Sequence, residues 1–385
     1  MNDRPKVALL IESSNSYARD LLFGIRSWLR DNHAWSIRLT EHGRGARPPS
    51  WLKKWKGDGI IARVENPSIA KALLATNLPV VDVSAALPDP LFNRVSTNSE
   101  AATQLAIDHL RDRGLTNFAY CGDRNFQWSQ QRSRYFKSTI QKLGHPCFIY
   151  AAPKDQHSSE QEIESLAKWL HSLPKPIGIL ACYDVRGQQV LEACQQAGIQ
   201  VPDEAAVIGV HNDELLCDLC DPPLSSVIPN ARQAGYKAAD ILSQLMSGNR
   251  QSSQLQSLLI EPLGVASRQS TDLLAIDDPK LSEALRYIRE NANQGITVSD
   301  LLQAVPMSRT LLERKFKNAL GITPHNHIQK IRLQKAKTLL SNTQLSVKEI
   351  AERCGFAHVE YLSVAFKREI GQTPTEYRSS HTTAY

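Results

Sequence analysis

No apolar run in this 385-residue sequence approaches the roughly 20 residues needed to cross a bilayer. The first residues, MNDRPKVALLIESS, enter a strand-like run directly, without the apolar core of a leader segment. The expectation is a soluble cytoplasmic chain with no membrane partner. Cysteine is sparse, seven in all, and the scattered, odd number suits reduced thiols better than a disulfide framework. CDLC at Cys217 to Cys220 has the spacing of a redox or metal pair, but no second CxxC stands at zinc spacing, so neither metal nor cofactor is expected. Also missing are a P-loop, a GxGxxG after a strand, HExxH and GxSxG. Their absence removes the common enzyme classes, and no catalytic residue is assigned. A catalytic domain joined to a helical tail is kept as a rival reading.

What is present is unevenly charged. Residues 280–378 carry 16 Lys/Arg against 9 Asp/Glu, a net of +7, whereas the remainder carries 29 against 30. A basic segment on a neutral body points to a polyanion partner for that segment alone. A lysine-rich, merely solvated helical surface would give the same count.

Up to about residue 270, near-continuous Val/Ile/Leu runs alternate with helical patterns: KVALLI, GDGIIARV, PVVDVS, RVSTN, NFAYCG, IGILACY and AAVIGV. Strands of that kind, each followed by a helix, predict an α/β part with parallel sheets covered on both faces. Ligands in such sheets sit beyond the carboxyl ends of the strands. The polar residues at those ends are Ser16, Tyr17 and Arg19; Trp128 and Arg132; Asp184; and His211 with Asn212. The boundaries expected are 1–270 for this part, 271–279 for a linker and 280–378 for an all-α part.

The helical part repeats itself. FKNALGITP from Phe316 matches FKREIGQTP from Phe366 at an offset of 50, and TVSDLLQAV from Thr297 matches SVKEIAERC from Ser346 at 49. Each copy reads as a short capped helix, a tight turn and a longer helix, the helix-turn-helix plan. Ser346 with Glu349 predicts a capping box, and Gly355 predicts the turn. A helix of about 16 residues, some 24 Å long, joins the copies. It could set two reading helices near one turn of B-DNA apart, about 34 Å.

SVKEIAERCGF, FKREIGQTPTEYR and FKNALGITP together resemble the AraC/XylS-type DNA-binding domain, over residues 279–378 without a gap. The resemblance implies that Thr310, Glu313 and Arg314 on the first reading helix meet base edges, with Val359, Glu360 and Val364 on the second. Arg reads guanine, carboxylates accept from cytosine, and valine packs on a thymine methyl. Arg309, Lys317, Lys367 and Arg368 would hold phosphates, which fix register without reading sequence. Leu312, Phe316, Leu362 and Phe366 are expected in the core. Val364 stands where the family often has an arginine.

The first 270 residues look like the two-lobed ligand-binding core of LacI/GalR regulators and periplasmic sugar receptors, without the usual N-terminal helix-turn-helix. SYARDLLFGI, GDGII, QWSQQRSRYF, CYDVRGQQV, VIGVHNDEL and NARQAGYKAADIL make the fusion similar to bacterial xylose-operon regulators over nearly its whole length. That likeness implies a pentose-responsive activator, acting on double-stranded DNA as a homodimer and recruiting RNA polymerase. Arg132 then corresponds to a sugar-clamping arginine and Asp184 to the family's acceptor aspartate; His211 replaces a customary aspartate. A fork of N–H donors and a carboxylate suit vicinal hydroxyls. Structural roles stay open for the same residues: a helix cap or an interlobe ion pair for Arg132 and Asp184, a core aromatic for Trp128. A different small polar effector, or an architectural DNA-binding role with a vestigial sensor, would also fit this pattern.

Overall fold

The computed structural model describes residues 4–40, 47–87, 89–124, 126–151, 159–248, 255–273, 278–343 and 345–381. It forms two compact units, Met1–Leu273 and Leu274–Tyr385.

In the first unit, β1 (Lys6–Leu10), β2 (Ser36–Leu39), β3 (Gly59–Ala62), β4 (Val80–Asp82), β5 (Asn93–Thr97) and β11 (Ser257–Ile260) make one sheet. Its order is β11-β5-β4-β3-β1-β2, all parallel. The second sheet holds β6 (Phe118–Cys121), β7 (Cys147–Ile149), β8 (Ile177–Ala181), β9 (Ala205–Val210), β10 (Ser225–Ile228) and β12 (Gly264–Ala266), in the order β12-β10-β9-β8-β6-β7. Among the described residues only the β10–β12 pair is antiparallel. The helices are α1 (Ser16–Asp31), α2 (Pro67–Leu74), α3 (Ser99–Arg111), α4 (Gln127–Lys142), α5 (Ser159–His171), α6 (Asp184–Gln196), α7 (Glu214–Leu219) and α8 (Ala231–Met246).

Side chains alternate across a strand, so Val7 and Leu9 enter one core with α1 and α8, while Ala8 and Leu10 enter another with α2. The second sheet does the same: Ala119 and Cys121 face one core, Phe118 and Tyr120 the opposite one. Burial on both faces is why these strands read as unbroken apolar runs.

The chain passes between the two sheet lobes three times: after Thr97, after Ile228, and between Ile260 and Gly264. The passes are stitched side by side. Asn98 N–H donates to Ile260 O at 2.8 Å, and Leu263 N–H donates to Ile228 O at 2.9 Å. The Asn98 side-chain amide also donates to Glu261 at 2.8 Å. Three adjacent crossings make a hinge, with the strand ends of both sheets facing the cleft beside it.

The boundary differs from the sequence reading. Thr271 hydroxyl lies 2.6 Å from Ser225 Oγ and Leu273 joins the second lobe's core, so Thr271 and Leu273 are packed rather than linking. Residues 274–277 of that expected linker lie outside the described residues. Asp278 already caps the next helix, accepting from Leu281 N–H at 3.2 Å.

The second unit is helical: α9 (Pro279–Asn291), α10 (Val298–Ala304), α11 (Arg309–Leu320), α12 (Pro324–Asn342), α13 (Val347–Arg353), α14 (Val359–Ile370) and α15 (Pro374–His381). It has two cores, one around Leu312 and Phe316, the other around Leu362 and Phe366. Helix α12 serves both, giving Ile328 to the first and Leu333, Ala336 and Leu340 to the second. All seven cysteines are free, six of them buried and Cys147 half-buried.

Candidate ligand cleft and nucleic-acid interface

Short loops after the strands set the cleft residues. Asn15 caps α1 by accepting from Ala18 N–H at 2.9 Å, which fixes Ser16 and Tyr17 on the first turn. The Tyr17 ring lies 5.1 Å from the imidazole of His211, on the opposite lobe. Trp128 stands 6.4 Å from His211 and 5.9 Å, edge-on, from Tyr183, and is stacked on Phe126 at 5.3 Å. Four half-buried rings, those of Tyr17, Trp128, Tyr183 and His211, therefore converge from four separate strand ends. His211 has φ +112° and Asn212 φ +50°, uncommon for residues with a Cβ and found where surrounding contacts enforce them.

The residues expected at the strand ends divide into groups. Tyr17, Trp128 and His211 come together, and Ser16 N–H reaches across the cleft to the Asp213 carboxylate at 3.4 Å. Arg132 is buried; Nε donates to Ser99 Oγ at 3.2 Å, Nη1 donates to Cys182 O, and its guanidinium lies 5.4 Å from the Trp128 ring. Asp184 is 2 % exposed and both its oxygens are engaged, Oδ1 by Ser226 O–H at 2.6 Å and Oδ2 by Asp213 N–H at 2.7 Å. It braces the loop that carries His211. Asn212 is likewise anchored, its N–H donating to Ser226 Oγ and its Oδ1 accepting from Arg268. Arg19 is exposed and donates to Ser13 O at 3.0 Å. Tyr183 escapes the sequence reading, although it directly follows the IGILAC strand.

Burial pushes the Asp184 carboxyl up to about 7, outweighing the hydrogen bonds from Ser226 and Asp213, which lower it. Such a carboxyl keeps its proton in the folded chain after the unfolded chain has lost it. Its stabilising contribution is therefore present below about pH 4 and falls as pH rises towards 7. The melting temperature of the wild type relative to Asp184→Asn should decline across that window and level off above it. A difference that stays constant from pH 4 to 8 would contradict this.

The residues expected to meet DNA lie in the second unit. Capping boxes at Thr297/Asp300 and Ser346/Glu349 open α10 and α13. Gly321 and Gly371, left-handed at φ +70° and +81°, end α11 and α14, and Pro324 and Pro374 start the helices that follow. Thr310, Glu313 and Arg314 are exposed on α11, and Glu360 and Val364 on α14. Val359 differs from its expected role: it is half-buried against the second core. Tyr361, 63 % exposed, was not anticipated; it falls outside the stripe of Leu362, Ala365 and Phe366. Arg309 pairs with Glu313 at 3.1 Å, and Lys317 donates to Gly321 O at 3.2 Å. Lys367 and Arg368 are exposed in the last turn of α14.

The joint between the two helical halves is tight. Arg332 is not a surface cation: it is buried on α12 and donates to Ala292 O and Ile296 O, each at 2.7 Å. Gly355, at φ +74°, packs its backbone on Gly295 and Ala292. The 19 residues of α12 span about 28 Å at 1.5 Å per residue.

Three family models match the chain: a XylR N-terminal domain over residues 6–94, a periplasmic binding protein-like domain over 107–271, and a helix-turn-helix domain over 301–380. The chain is 34% identical to the xylose operon regulatory protein of Escherichia coli K12, with 97% of each chain covered. It is 33% identical to that of Haemophilus influenzae, covering 97% of this chain and 98% of the relative. A solved structure described as the xylose-binding transcription activator xylR superposes with a TM-score of 0.81 at 32% identity, covering 99% of this chain and 100% of the other. None of the helices described is long and apolar enough to cross a membrane. A two-lobed α/β sensor, a duplicated helix-turn-helix unit and full-length likeness agree: the chain belongs to the xylose operon regulatory proteins, sugar-responsive DNA-binding transcription regulators of AraC type rather than enzymes.

Proposed function

We propose that this regulator is a cytoplasmic homodimer that activates a carbohydrate operon when xylose or a closely related pentose occupies the cleft, and that it does so by recruiting RNA polymerase. The observation that carries the reading is the convergence of Tyr17, Trp128, Tyr183 and His211 on a hinged cleft. Aromatic faces suit the C–H side of a sugar, and polar groups from the strand ends suit its hydroxyls. Ser16, Arg132 and these rings form the contact set; Asp184, Asn212 and Asp213 hold the loop in place, and Arg19 stands apart. Sugar binds the closed lobes better than the open ones, and by linkage the operator and the sugar alter each other's affinity by the same factor.

On DNA, Thr310, Glu313, Arg314, Glu360 and Val364 read base edges, while Arg309, Lys367 and Arg368 fix register on phosphates. Arg314→Ala should weaken operator binding by about 1–3 kcal/mol and relax preference at one base pair. Uniform weakening on operator and random duplex alike would make Arg314 a phosphate contact.

The deciding experiment titrates pentoses and hexoses while operator affinity is followed by fluorescence anisotropy. A cognate sugar at 100 times its Kd also stabilises the first unit by about 2.7 kcal/mol. Absence of coupling for every sugar, together with unchanged melting, would remove the sensor from this account.

A further inference from the structure

At the floor of the first lobe lies an ion pair that the fold alone leaves incomplete. Glu12 follows β1, Arg63 follows β3, and both sit at the carboxyl ends of the sheet. Glu12 Oε1 accepts from Arg63 Nη1 at 2.5 Å and from Asn15 Nδ2 at 2.6 Å. Arg63 Nη2 pairs with Glu65 Oε1 at 3.1 Å. Two buried atoms of this group, Glu12 Oε2 and Arg63 Nε, have no hydrogen-bond partner among the described residues. Glu12 is 1 % exposed. A buried polar atom without a partner costs about 1–3 kcal/mol, and native chains hold few of them. Here one is an acceptor, the other a donor, and both belong to one ion pair. The Arg63 guanidinium lies 5.8 Å from the Tyr17 ring, which in turn meets His211 across the cleft. The pair thus adjoins the aromatic cluster.

We propose that Glu12 and Arg63 determine effector specificity by clamping two neighbouring hydroxyls of the bound sugar: one hydroxyl donates to Glu12 Oε2, and the oxygen of its neighbour accepts from Arg63 Nε–H. The inference rests on the sugar reading of the cleft and adds to it the chemical feature selected, a vicinal diol held by a charged pair. Glu65, paired with Arg63 Nη2, helps to hold the guanidinium and with it Nε in place. A ligand that lacks either hydroxyl leaves one of these buried atoms unmatched, and sites of that construction discriminate strongly.

The test is calorimetric, on the full chain, with D-xylose, L-arabinose, D-ribose and D-lyxose, followed by the monodeoxy forms of whichever binds. Glu12→Gln preserves shape, and the double variant Glu12→Gln/Arg63→Met, which removes both charges of the Glu12–Arg63 pair, is measured should Arg63→Met alone fail to fold. Loss of the hydroxyl that meets Glu12 should weaken binding to the wild type by at least about 30-fold and to Glu12→Gln by less than about threefold, while loss of its neighbour should weaken both and spare the Arg63 variant. Equal deoxy penalties in wild type and variants, or variant affinities within about twofold of wild type, would overturn the clamp while leaving the sugar reading intact. If the wild type binds none of the four sugars, the sugar reading itself falls, and the clamp with it.

Discussion

Gly355→Ala should disable the DNA reader. A Cβ at this residue would lie 2.6 Å from Gly295 N, 2.8 Å from Ala292 O and 2.9 Å from the Asn293 carbonyl carbon. All three are backbone atoms, so no side chain can swing away. Left-handed φ at a residue with a Cβ costs roughly 1–2 kcal/mol, and forced overpacking adds about 1–3 kcal/mol. The expected loss is therefore about 2–5 kcal/mol, taken from the second unit. It should emerge as early melting of that unit and as collapse of operator affinity. Sugar binding by the first unit should persist. Equal melting temperatures for variant and wild type would show that the two helical halves do not press on each other at this glycine.

The second large effect belongs to the first lobe. Asp82 is buried at the end of β4, and its Oδ2 accepts from Arg94 Nε at 3.1 Å. Oδ1 accepts from Val64 N–H at 3.2 Å and from Ser84 N–H at 2.9 Å. Ser84 Oγ in turn donates to Val64 O at 3.0 Å, so one carboxylate ties three segments below the cleft. Asp82→Leu leaves Arg94 buried without its partner, a change that typically costs about 3–5 kcal/mol. Denaturant unfolding should show that loss in the first unit, with no change in DNA binding by the second. Asp82→Leu combined with Arg94→Leu should recover part of it, because no charge is then left unpaired. A double variant as unstable as the single one would mean that the two amide donors, not the ion pair, hold the loops.

Which parts of this architecture can be read from residues alone follows from where the forces are local. The duplicated helices are legible because caps and turns are set by neighbouring residues: Ser346 with Glu349, Gly371 before Pro374, and the 50-residue echo of Phe316 in Phe366. The inner strands are legible because burial on both faces demands uninterrupted apolar side chains. The edge strands are not. SIRL at β2 is exposed throughout, SLLI at β11 is exposed but for its last residue, and CFI at β7 and GVA at β12 are half-buried, so they lack that signature. SSVI at β10 is well buried, yet its two serines serve as hydrogen-bonding posts for Asp184 and Thr271, which disguises it as a loop.

The cleft is legible by position rather than by partner. Tyr17, Trp128 and His211 can be named from strand ends, but their meeting depends on three crossings that no local pattern encodes. The same gap hides Glu12 and Arg63, 51 residues apart, and makes Asp184 a brace where a ligand acceptor was expected. Arg332 is the clearest case. Among Lys330, Lys335 and Lys337 it reads as one more surface cation, and only the crossing of α12 past the end of α9 draws it inward to two carbonyls.

The free thiols have a practical consequence. Burial pushes each one upward, to about 11 for Cys354 in the second unit and for Cys147, Cys182 and Cys220 in the first. Scarcity of thiolate and lack of access both suppress reaction with disulfide reagents. Labelling of the buried thiols must therefore wait for the polypeptide to breathe, and the lone cysteine of the reader times one half of the molecule while the five buried ones of the sensor time the other. Mass spectrometry of singly tagged peptides would then chart, without any engineered probe, which half loosens first and whether an effector slows it.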